Sequence, residues 1–217
     1  MITYSIDTIL EQTRKNYEII SKHCLNNSLG SLNELVSSSP DKYFKIGSNN
    51  NIFNFINTYI PEENTIMFQI CQKGFLQVCQ WLHKYGDQDS IRKPCIYKDE
   101  SNIFGSKNYT TERLETPMSI AIEFGNLEIC KWLYDMGAKD DINRVNNFGQ
   151  STVFLACKHG HIDICEWLLN NGASRELLNR PSDIGNSPMM ISCYHNQISS
   201  CEWLKKEGAI IDLKKTN

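Results

Sequence analysis

The sequence has no apolar run long enough to cross a bilayer, and its start, Met1-Ile2-Thr3-Tyr4-Ser5-Ile6-Asp7, lacks a basic stretch leading into an apolar one. Neither a membrane span nor a secretory leader is expected. Net charge is scarce too: 22 Lys and Arg against 25 Asp and Glu leave −3, which provides no footprint for nucleic acid or an anionic membrane. Catalytic signatures are missing. There is no Gly-x-Ser-x-Gly, no glycine-rich phosphate cradle and no His-Glu-x-x-His. The expectation is a chain that is not an enzyme and takes no cofactor.

Cysteine, by contrast, is plentiful, with nine residues. An odd count argues against a disulfide framework, and four of the nine occupy one fixed point of a recurring segment. Cys packs as a small hydrophobe, so reduced core cysteines in an intracellular protein are the expectation.

The recurring segment is Cys-x-Trp-Leu, at Cys79-Gln80-Trp81-Leu82, Cys130-Lys131-Trp132-Leu133, Cys165-Glu166-Trp167-Leu168 and Cys201-Glu202-Trp203-Leu204. It takes up all four tryptophans, at steps of 51, 35 and 36 residues. Gly86, Gly137, Gly172 and Gly208 close the four helices. A period near 35 means a stacked helical array, because one unit of that size cannot bury its own apolar face.

A second pattern precedes each copy. Thr65, Thr116, Ser151 and Ser187 are helix-capping types, and Pro117 and Pro188 suit a first helical position. Gly74, Gly125, Gly160 and Asn196 then tolerate the left-handed conformation that ends a helix. The following stripe Ile129, Trp132, Leu133 and Met136 makes a second, amphipathic helix, so each unit is a helical hairpin.

With both half-motifs in phase, the chain resembles an ankyrin-repeat protein. The family order of Thr-Pro-Leu-His-x-Ala, Gly-His, an apolar helix and Gly-Ala is met best from Ser151 to Ala173, including Gly160-His161, and nearly as well from Thr116 to Ala138. The resemblance runs over roughly residues 62 to 213 and weakens at both ends. It implies an all-α helical solenoid with N-terminal capping helices and a long insertion between repeats 1 and 2. The divisions are 1–61 as helical cap or degenerate repeat, 62–87 as repeat 1 and 88–115 as insertion. Repeats 2 and 3 take 116–150 and 151–186, and 187–217 is repeat 4 with a C-terminal cap.

The insertion is expected to enlarge the finger between repeats 1 and 2. At the front, Ile6, Ile9, Leu10, Thr13, Tyr17, Ile20 and Cys24 predict one helix, and Ile52, Phe53, Ile56, Tyr59 and Ile60 a second, stopped by Pro61. Leu29-Gly30-Ser31-Leu32 reads as a worn repeat turn. At the back, Ser200 and Lys205 replace Ile164 and Leu169, predicting the polar outer face that a terminal repeat needs.

Two apparent sites weaken on inspection. Cys157-x-His159 with Cys165, echoed by Cys193-x-His195 with Cys201, has metal-ligand residue types. Their fixed place in the packing pattern explains them without metal, and no metal site is expected. The tryptophans lie on the apolar stripe, so core packing is expected ahead of base stacking. Cys95, beside Arg92 and Lys93, stands outside the repeat register, but no His partner can be assigned to it.

The resemblance therefore implies binding of a protein partner of unknown identity, on a concave face of first-helix ends and finger loops. Carried over by position, that face holds Glu115, Glu123, Phe124, Lys158, His159, Tyr194 and His195, with Asn147, Phe148 and Gln150 on one finger and Asp183, Ile184 and Asn186 on the next. Neither nucleic acid nor membrane is expected as partner. The isolated chain is expected to be a monomer, intracellular, in the cytoplasm or the nucleus. The alternative is a structural subunit of a larger assembly, cytoskeletal or viral.

Overall fold

The structure, a computed structural model, describes residues 6–38, 45–46, 50–51, 65–85, 88–99 and 111–211. It divides into two units, Met1–Ile91 and Arg92–Asn217.

The first unit opens with helices α1 (Ile6–Leu25) and α2 (Leu29–Ser38). A short antiparallel pair follows, β1 (Lys45–Ile46) with β2 (Asn50–Asn51). Helix α3 (Ile66–Lys73) and helix α4 (Leu76–Tyr85) make a hairpin, and a 3-10 turn spans Gln88–Ile91. The apolar stripe read over the first 24 residues is helix α1, which buries Ile20 and Cys24 and packs on α2 and α3.

Leu29-Gly30-Ser31-Leu32 is not a turn but the start of α2. The turn comes earlier, where Asn27 takes φ 54 and the Ser28 N–H closes on the His23 carbonyl at 2.9 Å. Asn, like Gly, tolerates the left-handed region, so it ends α1 and leaves Gly30 inside the next helix. The second expected stripe, residues 52–60, lies outside the described residues, as does Gly86.

The second unit begins with a β-hairpin of β3 (Cys95–Asp99) and β4 (Thr111–Glu115), antiparallel from Cys95↔Glu115 to Asp99↔Thr111. Three helical hairpins follow: α5 (Pro117–Glu123) with α6 (Leu127–Asp135), α7 (Thr152–His159) with α8 (Ile162–Asn170), and α9 (Pro188–Tyr194) with α10 (Ile198–Lys206). The links between them start as 3-10 turns, Lys139–Asn143 and Arg175–Leu178. The insertion thus supplies paired strands to a mainly helical unit.

The capping residues act as their spacing predicts. Thr116, Ser151 and Ser187 accept from Ser119 N, Phe154 N and Met190 N at 3.2, 3.1 and 3.2 Å, and Thr65 does the same for Phe68 N in the first unit. Each such cap is worth about 1 kcal/mol. The helix-ending positions Gly74, Gly125, Gly160 and Asn196 all have positive φ. At Gly125 and Gly160 there is a second reason for glycine: a Cβ would strike His161 and Gln197, which arrive from the following hairpin.

Between the helices the core is Ile129, Cys130 and Leu133, then Ile164, Cys165 and Leu168, then Trp203 and Leu204, all buried. Burying each large apolar side chain contributes roughly 1.5–3 kcal/mol. All described cysteines are free, as read from the sequence. Trp132 and Trp167 are only half-buried, and the edge of Tyr134 packs on the Trp167 ring at 5.7 Å. These two tryptophans therefore form the margin of the core.

Asparagines tie one link to the next. Asn143 donates to the Gly172 carbonyl at 3.2 Å and accepts from Ser174 N at 2.7 Å. Asn179 repeats the second bond, accepting from Ile210 N at 2.7 Å.

The far end departs from expectation. Ser200 is fully buried and its hydroxyl has no hydrogen-bond partner, so it is not part of a polar outer face. Lys205 is exposed as expected, but so are Ile198, Ile210 and Ile211. At that register α10 turns its small residue inward and leaves Ile198 in solvent, while Ile210 and Ile211 are exposed just after the helix.

Candidate protein-binding face

The C-terminal ends of α5, α7 and α9 lie beside the finger turns, and side chains fasten these parts together. Asn146 shapes the first finger, its Oδ1 accepting from Phe148 N and Gln150 N, both at 3.0 Å. Asn147 runs along the outer edge of β4: its amide accepts from Leu114 N at 2.7 Å and donates to the Glu112 carbonyl at 3.0 Å. One side chain so replaces a neighbouring strand, satisfying backbone groups that an edge leaves open. The next finger joins through Asp183 N, which donates to the Phe148 carbonyl at 3.0 Å. The Ser182 and Asn186 backbones pair at 2.9 Å to close that turn.

Below this rail is a buried ionic cluster. The Arg113 guanidinium, on β4, donates to Glu123 at 2.6 Å, to Gln150 at 3.4 Å and lies 3.6 Å from Glu115. Its Cζ lies over the Tyr97 ring at 4.9 Å, and that ring stands nearly perpendicular to Phe124 at 6.4 Å between centroids. On the far side of Glu123 stand His159 at 3.4 Å and Lys158 at 4.0 Å, while His161 Nε2 donates to the Glu123 main-chain carbonyl at 3.1 Å. Glu115 accepts from Asn146 at 2.7 Å. Charges removed from water are tolerated only when paired and hydrogen-bonded, a condition that Glu115, Glu123 and the terminal nitrogens of Arg113 meet across β4, α5, α7 and a finger.

The two carboxylates respond differently. Burial pushes the Glu115 carboxyl above its ordinary range, against Arg113, Ser119 and Asn146. Burial also presses upward on Glu123, but the His159 hydrogen bond, Arg113 and Lys158 outweigh it and hold this carboxyl low. His195 is held low by burial, Lys158 and His159. The rings of His161, His159 and His195 follow one another at 6.1 and 6.4 Å, and Tyr194 adjoins His195.

The sequence-predicted face residues thus fall into two groups. Phe124, Asn147, His159, Asp183, Ile184, Tyr194 and His195 are exposed, and Phe148, Gln150 and Asn186 are half-buried. Glu115, Glu123 and Lys158 are buried beneath the face, because Arg113 and the finger close over them. Tyr194 is 76% exposed, with Phe124 and Ile184 at 43% and 49%.

Sequence reasoning missed Arg113 and Tyr97. Both lie in the insertion, where no repeat register marks an inward position; only the alternation Cys95, Tyr97 against Arg113, Glu115 on paired strands would have signalled it. His161, at the turn of its own hairpin, reaches the preceding one through the Glu123 main-chain carbonyl. The two Cys/His sets do not converge either: Cys157 Sγ faces Cys165 Sγ at 3.7 Å while His159 turns to Glu123.

Comparison with known proteins adds two findings. Residues 118–215 match the family model described as ankyrin repeats, in three copies. A 59-residue stretch is 39% identical to a probable 26S proteasome regulatory subunit p28 of Saccharomyces cerevisiae (strain ATCC 204508 / S288c), covering 27% of this chain and 26% of that protein. The match thus spans about a quarter of the relative's length.

Proposed function

Residues 118–215 of this chain are an ankyrin-repeat array, and from that premise we propose that the protein is a non-catalytic interaction module which binds a partner protein on the concave face of first-helix ends and fingers. The supporting observation is the exposure of Phe124, Ile184 and Tyr194 on elements that the buried Arg113 cluster and the finger hydrogen bonds hold in place. Large apolar anchors ringed by polar groups are what interface hot spots use, and a preorganised face loses little entropy on binding. Asn147, Phe148, Gln150, His159, Asp183, Asn186 and His195 form the polar and half-buried surround. Glu115, Glu123 and Lys158 act from below by fixing the shape. The α3–α4 hairpin, with its Thr65 cap and Gly74, counts as a first repeat at 62–87, followed by the insertion at 88–115 and repeats at 116–150, 151–186 and 187–217. Free thiols throughout suit an intracellular setting.

The test is site-specific photo-cross-linking. A cross-linker at Ile184 or Tyr194 should capture a protein that one at Glu166 or Lys131, on second helices, does not. Equal capture from both sides would overturn the assignment.

A second reading, a subunit of a larger assembly, is favoured by the exposed Ile198, Ile210 and Ile211 at the last hairpin. The yeast relative's name, that of a regulatory subunit, is of this kind.

A further inference from the structure

Among the described residues, three hairpins carry a cysteine pair at the same two positions, one near the end of the first helix and one in the second. Cys71 and Cys79 lie with sulfurs 3.8 Å apart, Cys157 and Cys165 at 3.7 Å, and Cys193 and Cys201 at 3.4 Å, each pair eight residues apart in sequence. In the α5–α6 hairpin Ile122 takes the first position beside Cys130.

The first two pairs are wholly buried. Cys157 is covered by α9, whose Ser192 hydroxyl donates to the Cys157 carbonyl at 3.3 Å. No described hairpin follows α9–α10, so the same two positions open there: Cys193 is exposed and Cys201 half-buried. Among the described residues, nothing covers this pair as α9 covers Cys157.

We propose that Cys193 and Cys201 are a dithiol modification site that reacts with low-molecular-weight disulfides, such as oxidised glutathione, to form a reversible internal disulfide joining α9 to α10. A disulfide bond of about 2.05 Å asks the sulfurs, 3.4 Å apart on the two packed helices, to approach by roughly 1.4 Å, a shift on the scale of side-chain rotation.

The chemistry closes without another reactant. The Cys193 thiolate attacks one sulfur of oxidised glutathione; the glutathione S–S bond breaks, and one glutathione thiolate leaves. Cys201 then gives up its proton to water and attacks the Cys193 sulfur of the mixed disulfide, and the second glutathione leaves as thiolate and is protonated. The two protein thiols lose two electrons in total, and the oxidant gains them. Exposure assigns Cys193 to the first step. Burial and the neighbouring Cys193 push the Cys201 thiol up to about 11, so ring closure is the slow step. Its rate should rise about tenfold per pH unit over the neutral to mildly alkaline range. The product ties down the last turn of α9, which carries Tyr194 and is capped by His195.

The experiment uses the full chain, fully reduced and then exposed to oxidised glutathione. The expected product has lost the two thiol hydrogens, maps by proteolysis and mass spectrometry to a Cys193–Cys201 link, and returns to the starting mass with dithiothreitol. Cys193→Ser should block modification at this site, while Cys201→Ser should stop at a stable glutathione adduct on Cys193. Amide exchange across residues 188–206 should slow on oxidation of the wild type alone, which separates a local tie from misfolding of a variant. A wild-type reaction that ends at the glutathione adduct overturns the proposal. So does a first link between Cys157 and Cys165, or between Cys157 and Cys201, and so does no reaction at all.

Discussion

Arg113 donates to Glu123 across 2.6 Å, and both side chains are almost completely withdrawn from solvent. One comes from a strand of the insertion and the other from the end of the first helix after it, so this pair anchors the β-hairpin to the array. Arg113→Met should strand Glu115 and Glu123 as buried acids and cost about 3–5 kcal/mol in urea unfolding. Arg113→Met with Glu123→Leu should cost less than the sum of the two single variants, since both remove the same ion pair, although Lys158 then loses its carboxylate neighbour. A double variant as unstable as the sum of two singles would show that shape, not charge pairing, sets the penalty.

Acid should act on the two carboxylates in opposite directions. Glu123 is held low in the folded chain, against an unfolded value of about 4.3. Its contribution is therefore complete above that value and disappears as pH falls through the folded one. Glu115 is held high, so its contribution falls as pH rises from about 4.3 to the folded value. Urea midpoints taken from about pH 3 to about pH 7 should lose part of their acid limb in Glu123→Gln, whereas Glu115→Gln should steepen that limb.

A milder pH effect belongs to His195, whose folded value is lowered by burial and by Lys158 and His159. The unfolded chain takes up this proton first, near pH 6.5, so stability should decline as pH falls through that point. His195→Gln should flatten that part of the profile.

Gly125 is placed to report on the join between hairpins. With φ 76 and His161 packed where a Cβ would project, Gly125→Ala should cost about 1–2 kcal/mol from backbone strain alone, with a further loss from displacing His161. Adding His161→Ala should recover only that second share. Thermal unfolding of the three variants distinguishes the parts.

Asn147 is a different kind of joint. Asn147→Asp keeps the acceptor for Leu114 N but removes the donor to the Glu112 carbonyl. Faster amide exchange in β4 is expected, with α8 and α10 unaffected. Tyr194→Ala and Ile184→Ala, at exposed positions, should leave melting temperature nearly unchanged. Phe124→Ala should lower it slightly, because Phe124 also supports Tyr97.

The regular parts of the array were legible because each is local chemistry repeated. A hydroxyl before a helix, a left-handed residue after it and a Cys-Trp-Leu stripe need no knowledge of distant neighbours. The exposed positions of the candidate face were legible in outline for the same reason, by register from one hairpin to the next, whereas Glu115, Glu123 and Lys158 are buried. What escaped was non-local. The burial of Glu123 depends on Arg113, a residue in the insertion with no register to betray it. Asn147 acts through an amide that imitates a strand, which no spacing announces. Ser200 looked like an outward polar substitution, yet at the last described hairpin the helix buries the serine and exposes Ile198 instead.

The paired roles of Asn143 and Asn179 bear on how such a chain can change length. Each reaches forward to the backbone just past the next helical hairpin, at Ser174 and Ile210. A tandem duplication of the block from Arg144 to Asn179 would hand every new copy an asparagine at its entry and a receiving amide at its exit. The array can grow by whole units without inventing a new junction.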